Sequence, residues 1–209
     1  MFHASLRRGS RSGFIILLAA TMLALASCQS NSTLKAVFTP PIAVDSNGPF
    51  YLHNVSQIKY WDRMSSANRA TNFAWWDSAG HVREMSEFYD KVVVLTFFGT
   101  WSSPALAQLP IINTVLSSGD TNVLFIGATM REGVTGGKAV IRIDSAARAL
   151  NIPYQVVIGS RDFGFTYGGV DVVPTTFVIT RKRKVEATFE GFVTDDKLRA
   201  AIAKAEEKP

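Results

Sequence analysis

The run Val92–Phe98, VVVLTFF, constrains this chain more than any other segment. Seven apolar or β-branched residues in a row, without alternation, describe a strand covered on both faces, as in the centre of an α/β sheet. The next residues narrow the choice further. Gly99-Thr100-Trp101-Ser102-Ser103-Pro104 reads as a tight turn, with Pro104 suited to the first turn of a helix and Ser103 its expected N-cap. Leu106, Leu109 and Ile112, with Leu116 a turn further on, give that helix an apolar stripe. Pro110 falls inside it, where a missing donor and a ring clash predict a kink.

Downstream, Val123–Gly127 predicts a second core strand. Ile143, Ala146, Ala147 and Leu150 fall at helical spacing, and Tyr154–Ile158 predicts a further strand. Strand, helix and strand in this order require a parallel crossover. Val172-Val173-Pro174-Thr175-Thr176-Phe177 then leads into a strand, and Arg181-Lys182-Arg183-Lys184 reads as a solvated hairpin turn. Val185, Ala187 and Phe189 alternate with Glu186, Thr188 and Glu190, a period of two with one face buried. Thr194 is placed to cap a last helix whose first turn holds Asp195 and Asp196 and whose apolar face is Leu198, Ala201, Ile202 and Ala205.

Upstream, Asp77-Ser78-Ala79-Gly80 is a turn sequence between two short strands. Ile58, Trp61 and Met64 sit at helical spacing, so a short helix is expected within residues 55–70. Fold class is therefore α/β: a central mixed sheet flanked by helices, with an N-terminal extension. The expected division is residues 1–27 as a leader, 28–70 as tether and extension, and 71–209 as the domain.

The leader has its own logic. Arg7, Arg8 and Arg11 precede the apolar run Phe14–Ala26, short for a membrane span and the right length for a signal-peptide core. It ends in Leu25-Ala26-Ser27-Cys28, which resembles the lipobox of bacterial lipoproteins and makes Cys28 the expected lipidation site. A plain secretory signal or an uncleaved anchor is the alternative. Gln29 after the cysteine leans towards the outer membrane, so the expected location is the bacterial envelope, lipid-anchored and periplasm-facing. Removing the three leader arginines from the formal +5 leaves about +2, too mild for a nucleic-acid partner. Cys28 is the only cysteine, so no internal disulfide can form.

The segment KVVVLTFFGTWSSPALAQLP, residues 91–110, resembles the active-site segment of the thioredoxin superfamily, in particular the TlpA/ResA-like envelope thiol–disulfide oxidoreductases. Those proteins carry W-C-x-P-C-R-x-E-x-P there. Here Ser102 and Ala105 stand at the cysteine positions, Leu106 at the arginine and Gln108 at the glutamate, while Trp101, Pro104 and Pro110 match. The resemblance extends over residues 71–205 and implies a thioredoxin-like fold, with Pro174 at the superfamily's cis-proline.

The implied reaction needs a thiolate to attack and a second thiol to resolve. A serine at a helix N-terminus stays protonated without a neighbouring base, a methyl resolves nothing, and a carboxamide cannot titrate. No catalytic residue, cofactor or metal is expected: the histidines are isolated, and Gly133-Val134-Thr135-Gly136-Gly137 lacks the Lys-Ser/Thr of a phosphate loop. What the resemblance leaves available is binding. The loop before the cis-proline pairs with an extended partner by main-chain hydrogen bonds, which here sets Val173 and Pro174 opposite Trp101, Ser102 and Ser103. The leading expectation is a redox-inactive lipoprotein holding a polypeptide partner. Alternatives are a thiol–disulfide or peroxidase-type role with thiols from a partner, and a purely structural lipoprotein.

Overall fold

The structure is a computed structural model that describes residues 35–37, 49–62 and 69–208. The leader, Cys28, the polar residues after it and Met64 lie outside the described residues. The strands in chain order are β1 (Lys35–Val37), β2 (Tyr51–Leu52), β3 (Val55–Asp62), β4 (Phe73–Trp76), β5 (Val82–Glu84), β6 (Val92–Phe98), β7 (Val123–Thr129), β8 (Gln155–Ile158), β9 (Thr175–Ile179) and β10 (Val185–Glu190). Helix α1 (Ser103–Leu116) links β6 to β7, and α2 (Gly136–Ala149) links β7 to β8. The short α3 (Arg161–Phe165) comes after β8, and α4 (Asp195–Glu206) is last. None of the described helices is long and apolar enough to cross a membrane.

These strands form one mixed sheet in the spatial order β10-β9-β6-β7-β8-β3-β4-β5, with β1 and β2 each pairing with β3 off that path. β6 runs parallel to β7 and antiparallel to β9, and all seven of its residues are buried. The unbroken apolar run is thereby explained, because both faces are covered. On one face, Val92, Val94 and Phe98 pack with α1, α2 and α4 through Leu109, Ile112, Val140, Ile143, Leu198 and Ile202. On the other, Val93, Leu95 and Phe97 meet an aromatic layer that includes Trp61, Phe73, Trp75, Phe163 and Phe177. Phe163 is its hub, with edge-on contacts to Trp61, Phe73 and Tyr167 at centroid separations of 6.0, 5.1 and 5.5 Å.

Three expectations need correction. Residues 55–62 form a strand rather than a helix. β3 pairs in parallel with β8 through Val55–Gln57 and antiparallel with β4 from Ile58 onward, with a shift in register between Ile58 and Tyr60. A bulge inserts one residue, so the buried side chains Ile58 and Trp61 fall three apart and mimic helical spacing. Secondly, the N-cap of α1 is Ser102, one residue before the expected Ser103. Thirdly, the basic β9–β10 turn is docked as well as solvated. Arg183 donates twice to the Ala70 carbonyl, at 2.7 and 3.2 Å, and Arg181 reaches the carbonyls of Asp90 and Glu206.

Packing of α4 on β10 carries a pH signature. Lys208 and Lys204 donate to Glu186 at 2.7 and 2.9 Å, and they hold its carboxyl down at about 2, against an ordinary 4.5. A folded-state value depressed in this way contributes stability above pH 4.5, which is lost as pH falls through about 2. Urea unfolding across that window should show Glu186→Gln losing less stability on acidification than the parent. Parallel acid arms would rule the pair out as a contributor.

Candidate functional site

The site sits where β6 ends and α1 begins, beside the segment entering β9. Ser102 has extended backbone angles and caps α1, its Oγ accepting from the Ala105 N–H at 3.4 Å. The same hydroxyl donates to the Val173 carbonyl, also at 3.4 Å. One alcohol therefore satisfies a helix donor and ties α1 to the segment before Pro174. A thiolate at this atom could accept the first bond but not donate the second. The Val173–Pro174 peptide is cis. Ser103 opens the helix and faces solvent, with no part in this contact. Ala105 is fully buried in the α-helical face of the core, so the second sulfur position holds a packed methyl.

Gln108, in the second turn of the site's helix, is fully buried. Its Nε2 donates to the Val193 carbonyl at 3.0 Å and its Oε1 accepts from the Val193 N–H at 2.8 Å. That reciprocal pair pins the segment between β10 and α4 to α1. It requires an amide, which offers a donor and an acceptor at one end. Here the departure from the resembled acid position has a structural use.

Trp101 is half exposed, at 51%, and its indole Nε1 donates to the Met130 carbonyl at 3.0 Å. Its ring leans over Gly99, where an added Cβ would lie 2.5 Å from the indole nitrogen. Thr100 is fixed by a residue that sequence reasoning does not single out, the buried Glu132, which accepts from the Thr100 N–H at 2.9 Å and from its hydroxyl. The Glu132 carbonyl in turn accepts from Arg142 on α2. The turn bearing Trp101 is thus held by the β7–α2 connection. Glu132 lies just past a strand in a polar, glycine-containing stretch, and only the fold brings it to Thr100. Glu132→Ala should lower stability by about 1 kcal/mol, by removing the acceptor of the half-buried Thr100 N–H and hydroxyl, and should increase acrylamide quenching of Trp101 fluorescence. Unchanged quenching would show that Trp101 is held without it.

Ser102 is committed to Ala105 and Val173, and neither histidine bonds to it among the described residues. His53 pairs with Asp144 at 3.0 Å, and His81 lies in the β4–β5 turn beside Asp77. No base is positioned to activate the hydroxyl among the described residues. Three large apolar side chains stand exposed around this place: Trp101, Val172 at 49% and Phe192 at 52%. Phe192 is brought there by its neighbours, since the Gly191 N–H donates to the Pro174 carbonyl at 2.7 Å and Val193 is held by Gln108. Val173 is hydrogen-bonded through its carbonyl, and its N–H has no acceptor among the described residues.

A parallel β6-α1-β7-α2-β8 unit, an antiparallel β9–β10 hairpin entered through a cis-proline, and a terminal helix make this a thioredoxin-like fold. No family model matches the chain. Curated proteins similar to the chain include the thiol-disulfide oxidoreductase ResA of Geobacillus thermodenitrificans, 25% identical over 130 residues, covering 62% of this chain and 72% of the relative. ResA of Bacillus subtilis is likewise 25% identical over 134 residues, covering 64% and 72%. Among solved structures, a thioredoxin-family thiol:disulfide interchange protein from Chlorobium tepidum superposes with a TM-score of 0.56 at 19% identity, covering 68% of this chain and 98% of that one. The lipoprotein thioredoxin Etrx1 of Streptococcus pneumoniae gives 0.54 at 22% identity, covering 64% and 98%.

Proposed function

We propose that this chain is a redox-inactive thioredoxin-like lipoprotein that holds an extended segment of a protein partner in the groove between Trp101 and Val172–Pro174. The observation that carries this reading is the Ser102–Val173 hydrogen bond. It keeps the helix N-terminus and the cis-proline segment together as a binding surface, while hydroxyl and methyl stand at the two sulfur positions. Exposed Trp101, Val172 and Phe192 supply apolar contact, and the main chain of Val173 supplies an edge for strand pairing. The anchor rests on Leu25-Ala26-Ser27-Cys28 alone, with a lipid on Cys28, the outer membrane as destination and the domain facing the periplasm.

The names of the relatives favour a second reading, participation in thiol–disulfide exchange. In this chain it would require both sulfurs to come from a partner. Photo-crosslinkers placed at Trp101 and Val173 separate the two. Groove binding expects one captured partner at both positions, and loss of the Trp101 capture in Val173→Pro. A capture that depends on reducing conditions and persists in Val173→Pro would favour exchange chemistry. Crosslinking with no defined product would overturn the groove.

A further inference from the structure

Beside the groove lies a pocket of about 250 Å3, formed where residues 167–172 fold over the start of β9 and the end of β10. Its floor is built from two cross-strand pairs, Thr175 with Glu190 and Phe177 with Thr188. Gly168 and Gly169 form the rim with φ of +90° and +88°, and a Cβ on Gly168 would meet nothing within 4 Å, so the rim is open. Several lining groups are already committed. The Tyr167 hydroxyl donates to the Thr71 carbonyl at 3.1 Å and that of Thr175 to the Val172 carbonyl at 2.7 Å. Asp171, Glu190 and Thr188 complete the polar residues that line it.

We infer that this pocket takes the arginine or lysine side chain of the extended segment held in the groove. The inference rests on the groove-binding reading and adds the partner's chemistry to it. Val172 belongs to both surfaces, so a chain lying along the groove passes the mouth of the pocket. A basic side chain has the right two-part character, with an aliphatic stem to cover the apolar lining of Val170, Val172 and Phe177 and a cationic head to meet two carboxylates. Asp171 is not free of competition, because Arg131 approaches it at 3.5 Å. Both those side chains are substantially exposed, and an exposed pair of this length holds weakly enough for an incoming cation to share or displace it.

The test uses the purified full-length chain and two fluorescent peptides, Val-Thr-Val-Arg-Val-Thr and its twin with neutral citrulline for arginine. Polarisation should show the arginine peptide binding about tenfold more tightly, as one added charge-assisted contact allows. In Glu190→Gln the preference for arginine over citrulline should fall below about twofold. Equal binding of the two peptides to the parent chain would overturn the pocket and leave the groove reading intact. If neither peptide binds, titration with N-acetylarginine amide monitored by amide NMR decides. Shifts at Gly168 and Gly169 would support the pocket against a failed groove reading, and their absence would overturn the pocket as well.

Discussion

Gln108→Glu will destabilise the domain by about 2–4 kcal/mol at neutral pH, the range for a buried polar contact converted into an uncompensated charge. The wild-type amide is fully buried and both donates to and accepts from Val193. A carboxylate preserves only the second bond and turns two oxygens towards each other across the first. Protonation restores the donor, so burial and the Val193 carbonyl will raise the new carboxyl above its ordinary ~4.3. With the folded-state value raised, the variant is relatively most stable below the unfolded value and weakens as pH rises through the folded one. Urea unfolding of parent and variant at acidic and neutral pH should show a gap that narrows on acidification. A gap independent of pH would mean that Gln108 acts by shape alone.

The second large effect is a gain. Ser102→Cys with Ala105→Cys restores a dithiol spaced three residues apart at the start of α1. The first thiol inherits the Ser102 position, where the Ala105 N–H and the helix N-terminus favour an anion. In the Ser102→Cys single variant, alkylation by iodoacetamide near neutral pH should run about tenfold faster than for an unperturbed cysteine, through the larger thiolate fraction. The double variant should oxidise to an internal disulfide and reduce insulin where the parent does not. Because Ala105 lies in a filled core, the added sulfur should cost about 1–3 kcal/mol. Alkylation no faster than a free thiol would show that the helix end does not prepare this position for sulfur chemistry.

The legible parts of the fold are those whose pattern is enforced by burial from both sides or by strict alternation. Val92–Phe98 matches β6 residue for residue because no solvent face interrupts it. The last helix buries Leu198, Ala201, Ile202 and Ala205, as its periodicity predicts, because the stripe lies against a single partner surface. β3 escaped because a bulge changes the spacing of its buried residues, and because a parallel partner as distant as β8 leaves no local trace. The site was half legible for a related reason. Resemblance to the thioredoxin active-site and cis-proline segments singled out Trp101, Ser102, Ala105, Gln108 and Pro174. By contrast, Glu132 and Phe192 matter through contacts made by connections far along the chain. The bidentate use of Gln108 was equally hidden, since its partner Val193 is 85 residues away.

Redox inactivity is best tested on the parent protein's own turnover. Purified chain, added to insulin with dithiothreitol and no other protein, should leave the rate of reduction at the uncatalysed background over the whole neutral range. The same sample should still bind an extended peptide at the groove. Catalysed reduction that survives Cys28→Ser would refute redox inactivity, because it would place disulfide exchange in a domain whose helix start offers only the Ser102 hydroxyl and the Ala105 methyl.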